Sequence, residues 1–182
     1  MALALLNELK KEFYLRVDCN KKWSLKGALA FFETFPLNAF DYIEEPLHNP
    51  QDLPSFSHPF ALDESLHKIP AWHSLPKLKT IVLKPTLLEN WETLLKERPK
   101  KITPVLSSTF DSGVGIFHLA HLADELRLNT PQGFGPYQFL NDDVMNERFL
   151  IQNGTIEIPS KLTINPSKLK EIKNESDLMS TL

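Results

Sequence analysis

Short apolar runs recur along the chain, and each closes on a charged or hydroxylated residue. They read Phe13-Tyr14-Leu15-Arg16-Val17-Asp18, Phe40-Asp41-Tyr42-Ile43-Glu44-Glu45 and Phe60-Ala61-Leu62-Asp63-Glu64. Thr80-Ile81-Val82-Leu83-Lys84 and Ile102-Thr103-Pro104-Val105-Leu106-Ser107-Ser108 follow. Runs of this length that are apolar at both odd and even positions predict strands buried on both faces, as in a parallel sheet.

Helical spacing fills the gaps. Ser24 is a candidate N-cap for Leu25, Ala28, Leu29, Phe32 and Phe35. Thr86-Leu87-Leu88-Glu89 has the form of a capping box, and Leu88, Trp91 and Leu95 continue an apolar stripe. Ile116, Phe117, Leu119, Ala120, Leu122 and Ala123 give a broad apolar face over 114–126, and Leu3 to Lys11 predicts a helix feeding the first strand. The connections 50–57 and 66–75 are interrupted by proline and carry weaker helical patterns. In the tail, Ile156-Glu157-Ile158-Pro159 predicts a short strand.

Strand–helix alternation implies βαβ units and a parallel sheet, open or closed into a barrel. In either arrangement the carboxyl ends of the strands share one rim, which is where such folds bind ligands. The residues that close the runs are therefore predicted neighbours. A complete barrel takes about 250 residues, so a chain of 182 residues predicts an incomplete one. We expect residues 1–150 to form a partial (β/α) barrel with a metal site, and 151–182 a closing segment and tail. Within that tail Leu162 to Ile172 packs against the barrel, and residues after Asn174 fray.

Charge and composition narrow the function classes. With 20 basic and 23 acidic side chains and no Lys/Arg block, the chain lacks the footprint of a nucleic-acid binder. No apolar stretch approaches the roughly 20 residues that cross a bilayer, so no membrane role is expected. The start, Met1 to Leu6, has no basic residue and meets Asn7 and Glu8 at once, unlike a signal peptide. Cys19, the sole cysteine, excludes an intrachain disulfide and suits the reducing cytoplasm.

Asp18, Glu44 and Asp63 end three successive runs. Carboxylates that converge raise one another's proton affinity, and a hard divalent cation relieves them. All-oxygen ligation favours Mg²⁺. Glu45 and Glu64, of neighbouring parity, face the outer layer or orient the ligands. Lys84 ends the fourth run before Pro85 and is a candidate base or electrostatic stabiliser. Ser107-Ser108-Thr109 leads through Asp111-Ser112-Gly113-Val114-Gly115 into a helix, where hydroxyls and amides suit a carboxylate or phosphate. His118 and His121 have metal-binding spacing but no third ligand, so they read as surface or packing residues. Gly133-Phe134-Gly135-Pro136 marks a turn, and Cys19 is read as a buried small residue, not a nucleophile.

The ordered set Arg16-Val17-Asp18-Cys19-Asn20, Tyr42-Ile43-Glu44-Glu45-Pro46, Leu62-Asp63-Glu64-Ser65 and Val82-Leu83-Lys84-Pro85-Thr86 resembles the enolase superfamily. Together with the stretch from Ser107 to Gly115, it is similar to the o-succinylbenzoate synthase family within it. The match runs from Arg16 to the region of Tyr137. The resemblance implies an α/β fold: a partial (β/α)8, TIM-like barrel corresponding to the superfamily's C-terminal domain, without the N-terminal cap and first two strands. It implies Mg²⁺ held by Asp18, Glu44 and Asp63, with Lys84 as a catalytic lysine facing the intermediate. Arg16 and Asn20 would lie near substrate and metal, and Ser107 and Ser108 would hold the succinyl part of the substrate, with Gly133 nearby. The implied reaction dehydrates a small cyclohexadiene carboxylate to o-succinylbenzoate in menaquinone biosynthesis, by proton abstraction next to a carboxylate through a metal-stabilised enediolate.

The family's second strand carries a Lys-x-Lys motif, which Lys10-Lys11 does not replace. Little turnover is therefore expected of the chain alone. It is expected to be a gene fragment, half of a split enzyme completed by a polypeptide bearing the cap and first strands, or a non-catalytic remnant. Within the superfamily, an N-succinylamino acid racemase or dipeptide epimerase is the alternative activity.

Overall fold

The structure, a computed structural model, describes residues 2–169. Two compact units divide after Val105. The first opens with α1 (Ala2–Leu9), β1 (Leu15–Asp18), α2 (Leu25–Phe32) and β2 (Phe40–Glu44). Then come β3 (Phe60–Leu62), β4 (Leu78–Leu83), α3 (Trp91–Glu97) and β5 (Thr103–Leu106), whose last residue falls just past the division. Strand order in the sheet equals chain order, β1-β2-β3-β4-β5. The pairs β1–β2, β2–β3 and β3–β4 are parallel. Sequential parallel strands with helical crossovers are the plan of a (β/α)8 barrel, and the chain forms part of one. The crossovers either side of β3 are 3-10 turns, at Pro50–Ser55, Leu66–Lys68 and Trp72–Ser74, where proline shortens the helices.

Burial explains the strands. All of β3 is buried, as is β4 apart from Lys79. Alternation then sorts the side chains onto two faces. Phe40 meets Phe32 and Phe35 at ring distances of 5.7 and 5.1 Å, and Phe56 meets Phe32 at 5.9 Å, so α2 seals one face with aromatic rings. Fully burying such a side chain contributes about 1.5–3 kcal/mol. Tyr42, Ala61 and Val82 form a buried cluster of their own on the strands. Two residues further along each of those strands stand Glu44, Asp63 and Lys84.

Several expectations need adjustment. The first strand begins at Leu15, not Phe13; Phe13 and Tyr14 are 60% and 66% exposed, and the Phe13 amide is taken by Leu9 O at the end of the α1 segment. Ser24 does cap α2, accepting from Gly27 N. The capping box at Thr86–Glu89 does not form. The amides of Leu87 and Leu88 both turn back onto Lys84 O, and α3 starts only after Asn90, whose side chain caps nothing.

In the second unit, α4 (Gly113–Glu125) follows Ser112, which accepts from Gly115 N. A hairpin pairs β6 (Ile151–Gln152) with β7 (Thr155–Ile156). Asn153 and Gly154 turn it with φ of 51° and 73°, the left-handed pair that two-residue hairpins require. The tail strand therefore ends at Ile156 and does not run on to Pro159. The end of the Leu162–Ile172 segment and the residues after Asn174 lie outside the described residues. Among the described residues, no helix is long and apolar enough to cross a membrane.

Candidate metal and active site

Parallel register brings the first unit's acids together. Asp18 pairs directly with Glu44 across β1–β2, and Asp63 follows β3 at its carboxyl end. Burial raises the Glu44 carboxyl to about 7, with further upward pushes from Asp18 and Asp63. The acids therefore share one electrostatic environment. Burial likewise raises the Asp63 carboxyl, although Lys84 opposes that shift. Lys84, just past β4, donates to Asp63 Oδ2 and forms an ion pair with it. Among the described residues no hydrogen bond reaches the Glu44 carboxylate.

Asn20 belongs to this row through Asp18. Its backbone N–H and its Nδ2 donate to the two Asp18 oxygens at 2.8 and 2.7 Å. That clasp is possible because Asn20 and Lys21 turn through φ of 47° and 57°, a region Asn tolerates. Arg16 points to a different partner: its Nε donates to Asp41 Oδ2 at 2.8 Å, and its guanidinium stacks 4.8 Å above the Tyr42 ring. Lys79 Nζ meets the other Asp41 oxygen at 2.7 Å. Burial alone would raise the Asp41 carboxyl, but Lys79 and Arg16 together hold it below its usual range. Cys19 is 7% exposed, and burial followed by the Asp18 charge raises its thiol to about 12, which excludes a thiolate nucleophile.

Glu64 reaches Lys21 at 3.2 Å, whereas Glu45 turns inward. Its Oε1 accepts from Asp63 N and Ser65 N, both at 2.8 Å, and its Oε2 from Ser65 Oγ at 2.7 Å.

In the second unit, Ser107, Ser108 and Gly133 lie together. Ser107 and Gly133 form an isolated parallel bridge in which Ser108 N donates to Gly133 O and Gly133 N to Leu106 O. Both serine hydroxyls also lie 3.3 Å from Gly133 O. The helix amides expected to receive an external anion are already engaged. Gly113 N donates to both oxygens of Asp143 at 3.0 Å, and Gly115 N to Ser112 Oγ. Asp143 also accepts from Val144 N at 2.8 Å and from Tyr137 Oη at 2.6 Å. It sits in an irregular loop with no periodic pattern, so no sequence signal singled it out. His118 and His121 are exposed and flank Phe117, as expected of packing residues.

Among the described residues, no three His, Cys, Asp or Glu side chains stand in metal-holding geometry. Asn20 and Lys84 engage oxygens of Asp18 and Asp63. The donor chemistry nevertheless fits Mg²⁺: three carboxylates on adjacent strands, one of them half-buried and raised by that burial and by its acidic neighbours, offer only oxygen.

No protein-family model matches the chain. An o-succinylbenzoate synthase of Vibrio cholerae is 31% identical over 149 residues, which are 73% of this chain and 45% of that protein. The chain thus spans about half the length of the curated relatives it matches. Among solved structures, the o-succinylbenzoate synthase of Thermosynechococcus elongatus, complexed with Mg in its active site, is 24% identical with a TM-score of 0.62 over 74% of this chain and 48% of that one. The Bacillus subtilis L-Ala-D/L-Glu epimerase is 20% identical with a TM-score of 0.67 over 90% of this chain and 50% of that one. In sequence the chain resembles the o-succinylbenzoate synthases, and its fold is that of an enolase-superfamily barrel domain.

Proposed function

We propose that the chain carries the metal-and-lysine portion of an o-succinylbenzoate synthase-like site, a Mg²⁺-dependent hydro-lyase acting in the cytoplasm on a small carboxylate in menaquinone biosynthesis. The observation that carries this reading is the row Asp18, Glu44 and Asp63 at adjacent strand ends, closed by Lys84 on Asp63. It stands in a chain similar to a synthase of that name.

Asp18, Glu44 and Asp63 would hold the ion. Bound Mg²⁺ supplies positive charge against the negative charge that grows on a substrate carboxylate as the neighbouring proton leaves. Lys84 sets its Nζ at the Asp63 end of the row. Turned from Asp63 to substrate, it stabilises that growing charge or moves a proton, and only stabilisation that increases toward the transition state accelerates the step. Asn20 fixes the direction of the Asp18 carboxylate. Arg16, on the same strand parity as Asp18, adds positive charge for an anionic substrate.

A complementing polypeptide with further barrel strands is part of this reading, and turnover by the chain alone is expected to stay near background. An N-succinylamino acid racemase or dipeptide epimerase is the second reading, favoured by the fold likeness to the Bacillus subtilis epimerase. A non-catalytic cation-binding domain is the remaining outcome. Calorimetric titration of Mg²⁺ into the chain and its D63A variant tests the site: D63A should weaken binding at least tenfold, and equal affinity removes Asp63 from the ligand set. Assays with a complementing polypeptide, on a cyclohexadiene carboxylate and on N-succinylamino acids, separate dehydration from epimerisation.

A further inference from the structure

Glu45 is a heavily engaged acid of the first unit: its carboxylate lies 2% exposed and, among the described residues, serves no ion pair. It is also a non-glycine residue at a φ of 41°. Such a conformation is uncommon and persists only where its surroundings hold it.

The bonds of Glu45 explain what holds it. Its backbone O accepts from Lys21 N at 2.8 Å, in the turn that follows β1. Its backbone N donates to Ala61 O of β3 at 3.1 Å. Its side chain then crosses to the turn after β3, where it binds the amides of Asp63 and Ser65 and the Ser65 hydroxyl. One residue thus ties together the ends of β1, β2 and β3, the ends that bear Asp18, Glu44 and Asp63.

We infer that Glu45 is a positioning residue that sets the spacing of the three candidate ligands by gripping the Asp63–Ser65 turn, and that it acts through hydrogen-bond geometry, not through its charge. This inference rests on the cation site proposed above.

The distinction between geometry and charge is testable with isosteres. In E45Q the amide oxygen can still accept both backbone N–H groups, and Nε2 can donate to Ser65 Oγ. In E45D the side chain is one methylene short of the turn. S65A removes the contact to Oε2 and leaves the Asp63 amide bond intact.

Mg²⁺ alone is titrated calorimetrically into the 182-residue chain and each variant. Mn²⁺ binding followed by electron paramagnetic resonance is the second probe, and thermal melting is recorded for each. Removing a group that orients a metal ligand typically costs 10- to 100-fold in affinity, so E45D and E45A should fall in that range, S65A should fall less, and E45Q should stay within about threefold of wild type. E45Q as weak as E45A would mean that charge matters and would overturn the inference. Folded E45D and S65A with wild-type affinity would also overturn it, since their melting would then report a structural role only. If E45A does not fold, E45D, S65A and E45Q decide. Wild-type protein that binds neither ion would instead sink the cation site itself, a separate and recognisable failure.

Discussion

Lys84 forms an ion pair with Asp63, and the two side chains are 19% and 11% exposed. One ammonium therefore sits against a row of three acids, where it balances charge and competes for an oxygen that a divalent ion would use. The pair has a second effect, since Lys84 also lowers the proton affinity of Glu44 against the burial that raises it.

The K84M variant exposes that competition. Two unit charges about 4 Å apart interact by at least ~1 kcal/mol even at the dielectric constant of water. Losing the ammonium should therefore tighten Mg²⁺ binding roughly fivefold or more by calorimetry. Because losing Lys84 also raises the Glu44 carboxyl further above its value of about 7, the two proteins are compared at rising pH, in the range where neither affinity changes with pH any longer. Equal or weaker binding by K84M would show that Lys84 does not stand in the cation's place.

The cluster of Asp41 with Arg16 and Lys79 governs the acid limb of stability. The Asp41 carboxyl is held below the ordinary value of 3.8 when folded, so its contribution is complete above that value and disappears as pH falls through the lower, folded one. D41N should cost about 2 kcal/mol near neutral pH, the scale of hydrogen bonds to charged groups. The stability curves of wild type and variant, from urea melts at several pH values, should converge only once the pH has fallen below the lowered, folded value of Asp41. Parallel curves would mean that the pairing contributes no pH-dependent stability.

Gly133 is required by closeness to Ser107. A Cβ there would stand 2.7 Å from Ser107 Oγ and 3.0 Å from Ser107 Cβ. G133A should therefore destabilise by about 1–3 kcal/mol, the usual cost of overpacking. Adding S107G removes both clashing atoms and should restore part of the loss, giving a favourable coupling in a double-mutant cycle read by melting temperature. Additive effects would show that the two residues do not meet.

Much of the first unit was readable because one physical signal dominated it. A strand buried on both faces is apolar along its length, as β3 is throughout and β4 is over Ile81, Val82 and Leu83. Parallel topology then did the rest, turning Asp18, Glu44, Asp63 and Lys84 from distant positions into neighbours. Local polar chemistry was harder. Thr86-Leu87-Leu88-Glu89 carries a capping pattern, yet the turn onto Lys84 O claims its amides first. Asn153-Gly154 is a strong hairpin signal, but the runs beside it are only two residues long and give no alternation to read. Asp143 reaches Gly113 from thirty positions away, a choice made by tertiary packing and invisible to any local window. Glu45 was legible as an acid near the ligands; its left-handed backbone and its reach to the Asp63 turn were not.

The buried position of Cys19 has a practical consequence. With its thiol raised to about 12 and its amide fastened to Glu44 O at 2.9 Å, it meets an alkylating reagent only when the seam between the first two strands comes apart. The chain's one sulfhydryl is therefore a native gauge of breathing at that seam, and its labelling half-life can be timed without introducing any probe.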